Sequence, residues 1–290
     1  MAKIALITGA SSGFGLLTSV TLAKRGWRVV ATMRDLNRRE KLARAAQEAS
    51  VLDRIEIHAL DVTNAEQIAA ITDLVAKRFS PMHALVNNAG FAVSGFAEEV
   101  TDADLREQFD TNFFGAAAVT RALLPLMRRQ GFGHVVMVTS ISGRTGFPGI
   151  SSYVASKFAL EGWTETLRYE MAAIGIQVVL VEPGSFDTDI WTRNAKVTER
   201  MRDPQSPNAA RVGKWLDRLK KSSKRRANPQ IVADLIAGIL EDPHPKLRYV
   251  VGRDARMALL MRSLLPARVF ERMMVKMSGM DEQSKIISPR

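Results

Sequence analysis

Short apolar segments alternate with helical patterns along most of this chain of 290 residues. Strands joined through helices pair in parallel, and a parallel sheet is buried by helices on both faces. Predicted strands cover residues 3–8, 28–32, 54–60, 84–87, 133–140, 177–182 and 247–251. Predicted helices cover residues 14–25, 35–49, 64–79, 102–129, 151–174 and 229–240. The pattern predicts an α/β fold: one doubly wound domain over residues 1–290 with a central, mostly parallel sheet.

The alternation stops after Pro183, and residues 187–227 are polar, basic and poorly periodic. Because this segment follows a strand end, where ligands bind in open α/β sheets, we expect a partly mobile flap over a substrate site. Residues 253–290 are expected to form a C-terminal helical extension, rich in Met, Leu and Arg at 255–277. Core packing or a subunit contact is the favoured role of this extension, and lying on a membrane surface is the alternative.

The net charge of +11 is concentrated partly in residues 211–226, where many Lys and Arg face a single Asp. A solvated surface is the simplest interpretation, and an anionic surface or acidic partner is the alternative. The sequence lacks nucleic-acid-binding motifs, so we expect no nucleic-acid partner. The absence of cysteine excludes disulfides, zinc-thiolate sites and thiol catalysis. With neither a leader-like start nor a run of 18 apolar residues, we expect a cytoplasmic protein.

A glycine-rich turn, ITGASSGFG, follows the first predicted strand and opens the first helix. Glycine adopts positive φ and lets a phosphate approach the backbone, while the helix N-terminus favours an anion. Gly9, Gly13 and Gly15 therefore indicate a diphosphate site, although a plain glycine-rich turn is the alternative. The spacing is neither GxGxxG nor that of a P-loop.

Tyr153 and Lys157 stand four residues apart, so a helix places both on one face. An ammonium beside a phenol favours the phenolate, and we expect it to lower the pKa of Tyr153. This spacing also arises by chance, and it gains weight from the glycine turn and from Ser140 at a predicted strand end. The four histidines and the acidic residues show no metal-ligand spacing, so no metal is expected.

Together these motifs resemble the short-chain dehydrogenases/reductases. The matching features, in order, are TGASSGFG, NNAG at residues 87–90, Asn112, Ser140, Tyr153 with Lys157, and Pro183–Gly184 followed by Thr188. The segments MRDLNRRE, SKFALEG and RYVVGRDA resemble the branch near 17β-hydroxysteroid and retinol dehydrogenases. The resemblance implies a Rossmann-type fold and hydride transfer between a nicotinamide and a carbonyl or alcohol.

The resemblance also implies a role for each catalytic residue. Tyr153 would donate the proton and Ser140 would orient the substrate oxygen, with Ser142 as the alternative serine. Lys157 would lower the Tyr153 pKa and hold the nicotinamide ribose, while Asn112 would hold a water in a proton relay. Ser151 is expected to cap the helix that carries Tyr153.

The cofactor contacts implied by the resemblance come from loops after the strands and from the catalytic helix. They are Gly9, Ser11, Ser12, Gly13, Phe14, Gly15, Arg34, Asp61, Val62, Asn87, Ala89, Gly90, Tyr153, Lys157, Pro183, Gly184, Phe186 and Thr188. Asp61 and Val62 would flank the adenine, Asn87 would contact the ribose region, and Thr188 would hold the carboxamide.

Cofactor choice depends on the end of the second strand. Met33 stands where an acidic residue selects NAD in the family, and Arg34 can accept a 2′-phosphate. Ser11 can add a hydroxyl, so NADP(H) is predicted over NAD(H). In the competing interpretation Arg34 is a surface charge and Asp35 binds the ribose; capping of the second helix is the favoured role of Asp35.

Apolar residues are expected near the cavity mouth, which suits a hydrophobic substrate. They are Phe91, Val93, Phe96, Phe147, Pro148, Phe186, Ile190 and Trp191. The sequence thus predicts an NADP(H)-dependent oxidoreductase that interconverts a hydrophobic ketone or aldehyde and its alcohol. The alternative is a catalytically idle NADP(H)-binding regulator or scaffold. The resemblance implies a homodimer or homotetramer formed through the long helices, and membrane contact is not favoured.

Overall fold

The structure, a computed structural model, describes residues 2–223 and 226–278. Its strands are β1 Ile4–Ile7, β2 Arg28–Met33, β3 Ile55–Ala59, β4 Ala84–Asn87, β5 Ala92–Ser94, β6 Gly133–Val138, β7 Ile176–Pro183, β8 Ala195–Val197 and β9 Arg248–Val251. Its α-helices are α1 Gly13–Lys24, α2 Glu40–Glu48, α3 Ala65–Arg78, α4 Asp102–Phe109, α5 Ala116–Gln130, α6 Ser151–Ala172, α7 Glu199–Arg202, α8 Ala209–Ser223, α9 Gln230–Glu241, α10 Arg253–Leu264 and α11 Ala267–Ser278.

Seven strands form one parallel sheet in the order β3-β2-β1-β4-β6-β7-β9. The central strands β1 and β4 are buried along their whole length, which explains their uninterrupted apolar sequences. One apolar core packs α1, α2 and α9 against the sheet, and a second packs α3, α5 and α6 on the other face. The predicted α/β fold is confirmed, including the parallel sheet with helices on both sides.

The strand order places the ligand crevice. Successive strands run outward in one direction from β1 to β3 and in the other from β4 to β9. In open α/β sheets the crevice opens beyond the carboxyl ends of the strands at this reversal. The glycine turn follows β1 and the NNAG segment follows β4, so both motifs lie at the crevice.

The predicted flap over residues 187–227 is more regular than expected. Strand β8 pairs in parallel with β5, and helices α7 and α8 follow it. Val212 and Trp215 of α8 are buried, whereas the exposed positions carry the charges that obscured the periodicity. The prediction of a poorly periodic segment is therefore wrong. Part of the basic cluster, the side chains of residues 218–225, lies outside the described residues.

Several predicted helix ends differ in detail. Asn64 caps α3 as predicted, accepting a hydrogen bond from the backbone N–H of Gln67 at 2.9 Å. Asp35 caps a short 3₁₀ turn before α2 instead of α2 itself. Ser151 is the first residue of α6 and not its cap, because the chain turns into the helix at Ile150. The predicted helix 102–129 is interrupted by one π-helical segment between α4 and α5.

The C-terminal extension begins with α10 and α11, which correspond to the predicted amphipathic stretch. Residues 279–290 of this extension lie outside the described part of the chain. Within residues 2–223 and 226–278, no helix is long and apolar enough to cross a bilayer.

Candidate active site

A cavity of about 980 Å³ opens beyond the carboxyl ends of the central strands. Most of the predicted cofactor and catalytic residues line it: Gly9, Ser11, Ser12, Gly13, Phe14, Arg34, Asp61, Val62, Ala89, Gly90, Ser140, Tyr153, Lys157, Pro183, Gly184, Phe186 and Thr188. Gly15, Asn87 and Asn112 do not line it, and each of them has a different role. The size suits a dinucleotide together with an organic substrate.

Three predicted catalytic side chains meet on one wall of the cavity. Ser140 lies two residues after the end of β6. Tyr153 and Lys157 lie one turn apart on α6. The Ser140 hydroxyl lies beside the Tyr153 phenol and acts to lower its pKa. The indole of Trp191 contacts the phenol ring edge to face, with the ring centroids 5.4 Å apart. The phenol is thus fixed between a polar partner and an apolar flap residue.

Ser140 and Ser142 are distinguished by this geometry. The Ser140 Oγ accepts a hydrogen bond from the backbone N–H of Ser142 at 3.1 Å, which leaves its proton for another acceptor. Ser140 is also the serine whose side chain acts on the pKa of Tyr153. Ser142 lines the cavity without that contact. The arrangement therefore supports Ser140 as the residue that orients a substrate oxygen.

The predicted effect of Lys157 on the phenol is wrong for these residues taken alone. Burial raises the pKa of Tyr153 to about 12, and the neighbouring Ser140 side chain only partly opposes this. The Lys157 Nζ lies 5.7 Å from the centroid of the Tyr153 ring and donates to the backbone carbonyl of Val138 at 3.0 Å. Burial also lowers the pKa of Lys157 to about 8. Desolvation thus outweighs the attraction that the spacing suggested.

Asn112 lies in the π-helical segment Asp110–Gly115, a distortion that often marks functional sites. Its Oδ1 accepts a hydrogen bond from the Phe91 N–H at 3.1 Å, and its Nδ2 donates to the Phe91 carbonyl at 3.1 Å. The same Nδ2 also donates to Ser156 Oγ at 3.3 Å. The amide is buried and occupied by protein groups, and the predicted water relay stays a prediction. Asn112 ties the loop after β4 to α6.

The glycine turn has the backbone that a diphosphate requires. Gly9 and Gly13 adopt positive φ values of 69° and 56°, and both line the cavity. A Cβ on Gly13 would point across the cleft to within 3.5 Å of the Thr188 Cβ. Ser12 makes no side-chain cap on α1, and the first turn carries no acidic residue. The backbone N–H groups at the start of α1 are therefore left without side-chain acceptors. Together with the helix dipole, they suit the binding of an anionic diphosphate.

Gly15 serves packing beneath the turn. A Cβ added there would lie 2.5 Å from Asn88 Nδ2 and closer still to the Gly9 carbonyl oxygen. Only glycine lets α1 approach the end of β1 this closely. The prediction that Gly15 touches the cofactor is therefore wrong, although it supports the residues that line the cavity.

In the NNAG segment the second asparagine, and not the first, lines the cavity. Asn87 is buried and donates from Nδ2 to Thr120 Oγ1 of α5 at 2.8 Å, away from the cavity. Asn88 lines the cavity and donates from Nδ2 to the carbonyl oxygens of Thr8 and Gly9 at 2.9 Å and 3.0 Å. The predicted ribose contact of Asn87 is wrong because the strand directs that side chain into the helix layer.

Arginine side chains that follow β2 give the cavity a positive charge at this end. Met33 is buried and offers no acceptor to a ribose diol. Arg34 and Arg38 line the cavity, and Arg38 lies 3.6 Å from the Asp35 carboxylate. The Asp35 carboxylate also accepts the Asn37 N–H at 3.0 Å. Arg34 has no ion-pair partner within the described residues, so its charge is left for a ligand.

The cavity mouth is apolar, and two of the residues that line it were not predicted from the sequence. Trp215 of α8 and Met274 of α11 line the cavity, although sequence reasoning placed neither there. The spacing of Val212 and Trp215 on one face of α8 was the available signal. Phe91, Phe147, Pro148, Phe186, Ile190 and Trp191 line the cavity as predicted. Val93 and Phe96 do not line it: Val93 is fully buried, and Phe96 packs against the apolar cluster that contains Tyr153.

No cluster of three potential metal-ligating side chains occurs within the described ranges. His83 and His134 contact backbone groups: the His83 Nδ1 accepts from the Ile4 N–H at 3.2 Å, and the His134 ring lies 3.0 Å from the Asp242 carbonyl.

Comparison with known proteins places this site in a family. The short chain dehydrogenase profile matches residues 3–198, which is more than half of the chain. The chain belongs to the short-chain dehydrogenase family. An uncharacterized oxidoreductase of Bacillus subtilis, YusZ, is 42% identical over 94% of this chain and 98% of its own length. Human retinol dehydrogenase 8 is 35% identical over 85% of this chain and 80% of its own length. The predicted family resemblance is confirmed.

Solved structures of this family agree with the fold. A short-chain dehydrogenase from Streptomyces avermitilis is 36% identical, with a TM-score of 0.78 over 91% of this chain and 93% of that chain. An actinorhodin polyketide ketoreductase variant with NADPH is 27% identical, with a TM-score of 0.71 over 86% of this chain and 95% of that chain. This short-chain dehydrogenase is therefore an oxidoreductase of carbonyls or alcohols with a nicotinamide cofactor.

Proposed function

We propose that this short-chain dehydrogenase interconverts a hydrophobic ketone or aldehyde and its alcohol with NADP(H). The observation that carries the proposal is that Ser140 and Tyr153 lie side by side in the wall of a cavity with an apolar mouth. A phenol and a hydroxyl at one point can both bond a single substrate oxygen.

The protein's part in the reaction is to place the substrate oxygen and supply its proton. Tyr153 is a proton donor in its neutral form, which its raised pKa maintains at neutral pH. Ser140 holds the same oxygen and favours the negative charge that grows on it during reduction. The nicotinamide, when bound, supplies the hydride. In the reverse direction Tyr153 accepts the alcohol proton.

Support for NADP(H) comes from the residues at the adenosine end. An Arg34 guanidinium without an internal carboxylate partner matches a 2′-phosphate in charge and in hydrogen-bond geometry. Met33 cannot bond the two ribose hydroxyls that identify NAD. NADPH accompanies the 27% identical ketoreductase structure, which agrees with this choice.

A hydrophobic substrate is supported by the aromatic mouth. Phe147, Trp191 and Trp215 converge on the Tyr153 side of the cavity. Burial of apolar area there stabilises a substrate by about 25 cal/mol per Å². A relative named retinol dehydrogenase is consistent with a large apolar substrate.

The proposal is tested with a panel of ketones, aldehydes and secondary alcohols of rising hydrophobicity, followed through nicotinamide absorbance. We expect turnover with NADPH that rises with substrate hydrophobicity and is lost in Tyr153→Phe. NADPH binding with no turnover on any member of the panel would contradict the enzyme proposal and favour a cofactor-binding regulator.

We also propose that the protein is a homodimer or homotetramer. Phe114 next to α5 and Phe158 and Tyr169 on α6 are 57%, 41% and 66% exposed. Exposed aromatic side chains on neighbouring long helices are typical of an interface. Light scattering of wild-type protein and of Phe114→Glu tests this, and a monomeric wild type would contradict it.

A further inference from the structure

Two buried carboxylates lie behind the catalytic wall, and the proposed reaction does not use them. Glu161 belongs to α6, one turn beyond Lys157, and Glu182 belongs to β7. Glu182 is fully buried, and Glu161 is 4% exposed. Charged groups are rarely buried without partners, because the cost of desolvation is large. We call Glu161 and Glu182 the carboxylate pair.

Polar groups from three parts of the chain hold the carboxylate pair. The Glu161 Oε1 accepts a hydrogen bond from Thr139 Oγ1 at 2.6 Å. The Arg248 Nε lies 3.3 Å from Glu161 and 3.2 Å from Glu182. Arg144 donates to Glu182 at 3.1 Å. Each carboxylate of the pair therefore has an arginine partner.

The pair itself is close enough to share a proton. Both carboxylates contact the same Arg248 Nε, at 3.3 Å and 3.2 Å, so the two carboxyl groups are neighbours, and one proton held between them relieves their repulsion. Burial, followed by repulsion from Glu182, raises the pKa of Glu161 to about 7. The pair therefore changes its charge near neutral pH, as coupled carboxylates do.

Glu161 also lies near Lys157 along α6. Lys157 and Glu161 are four residues apart on α6, so their side chains lie on one face of the helix. This helical turn packs tightly on Gly143, where an added Cβ would lie 2.7 Å from Glu161 Cγ and 3.1 Å from the Lys157 carbonyl. Both side chains are buried, so the interaction of the two charges is weakly screened.

We propose that Glu161 is a positioning residue that keeps Lys157 charged above neutral pH, with its own charge set by a proton shared with Glu182. The proposal rests on the proposed function, because Lys157 matters only if the site is catalytic. Ionised Glu161 opposes the loss of charge that burial imposes on Lys157. The charge of Glu161 is balanced in turn by Arg248, and that of Glu182 by Arg144.

The kinetic test compares Glu161→Gln with Glu165→Gln. Glu165 is a matched control because it lies one turn further along α6 and also binds Arg248, at 2.7 Å, but with an exposed carboxylate. If the Lys157 pKa falls by one unit from about 8, its charged fraction at pH 8 falls from one half to about a tenth. We expect kcat/KM of Glu161→Gln to drop about five-fold at pH 8 and hardly at pH 6. Glu165→Gln is expected to keep the wild-type profile.

A second measurement is independent of turnover. A carboxyl group whose pKa is raised on folding contributes stability below its unfolded pKa, and this contribution is lost as pH rises through the folded pKa. For Glu161 that loss lies between about pH 4.5 and pH 7. We therefore expect the unfolding midpoint of Glu161→Gln to rise relative to the wild type across this range. The difference between Glu165→Gln and the wild type is expected to stay constant from pH 5.5 upward, since the pKa of Glu165 is lowered.

A third test uses infrared spectroscopy of the wild-type protein alone. A protonated buried carboxyl gives a separate carbonyl band, and we expect this band at pH 6 and its loss by pH 8. Absence of the band at pH 6, or a Glu161→Gln profile parallel to that of the wild type, would overturn the proposal. If no substrate is turned over at all, the proposed function fails, while the unfolding and infrared measurements still decide whether the pair shares a proton.

Discussion

Replacement of Gly15 by alanine tests whether the glycine turn is held in place by close packing. The new Cβ would lie 2.5 Å from Asn88 Nδ2, about 1 Å inside ordinary contact. It would also meet the Gly9 carbonyl oxygen, which is backbone and cannot rotate away. The Asn88 side chain therefore has to move. Its amide joins the loop after β4 to the turn after β1 through hydrogen bonds to the carbonyl groups of Thr8 and Gly9.

The expected cost follows from these contacts. Overpacking costs about 1–3 kcal/mol, and each of the two Asn88 hydrogen bonds contributes about 0.5–1.5 kcal/mol. Alanine recovers up to about 1 kcal/mol of helix propensity in α1. We therefore expect Gly15→Ala to lose about 1–5 kcal/mol of unfolding free energy. The affinity for NADPH is expected to fall about ten-fold or more, because the amides around Gly13 move with the turn.

The assay combines urea unfolding with a fluorescence titration of NADPH. Gly162→Ala is the matched control, because Gly162 also lies within a helix, α6, but nothing lies within 4 Å of an added Cβ. That variant is expected to gain up to about 1 kcal/mol and to keep its NADPH affinity. If Gly15→Ala binds NADPH as the wild type does, the turn is not positioned by this contact and the reasoning is refuted.

Three further substitutions test the remaining assignments. Tyr153→Phe should retain NADPH binding but reduce turnover by about 10²–10⁴-fold, and a loss of only a few-fold would end its proposed role. Ser140→Ala should reduce kcat by about 10²-fold while Ser142→Ala changes it little, which steady-state rates on one ketone would show. Arg34→Ala should lower kcat/KM for NADPH by about 10–100-fold and leave that for NADH nearly unchanged. An equal loss with both cofactors would contradict recognition of the 2′-phosphate.

The sheet and most of the site followed from the sequence because their signals are local. A parallel strand buried on both faces reads as an apolar run, as in IALI of β1 and ALVN of β4. The glycine turn and the Tyr153–Lys157 spacing each lie within one element. By contrast, the assignment of Asn87 failed because successive residues of a strand point to opposite faces. A motif match alone does not decide which of two adjacent asparagines faces the cavity.

The flap shows why distant contacts escaped prediction. Strand β8 has only three residues, and its partner β5 lies about a hundred residues earlier in the chain. A strand this short gives too few alternations to detect. In α8 the many Lys and Arg obscure the apolar face that carries Val212 and Trp215. Tertiary packing, and not local propensity, stabilises both elements and brings Trp215 and Met274 to the mouth.

The catalytic pair illustrates how burial decides a charge state that spacing leaves open. Desolvation disfavours both the phenolate and the ammonium, raising the pKa of Tyr153 to about 12 and lowering that of Lys157 to about 8. Near pH 7 the pair is therefore a neutral phenol beside an ammonium, the state that donates a proton to a carbonyl oxygen. Oxidation of an alcohol needs the phenolate, and each unit by which the pKa exceeds the pH costs about 1.4 kcal/mol. The kcat for oxidation should consequently rise steadily from pH 7 to pH 9; a flat oxidation profile would show that the phenol ionises far more easily than its burial allows.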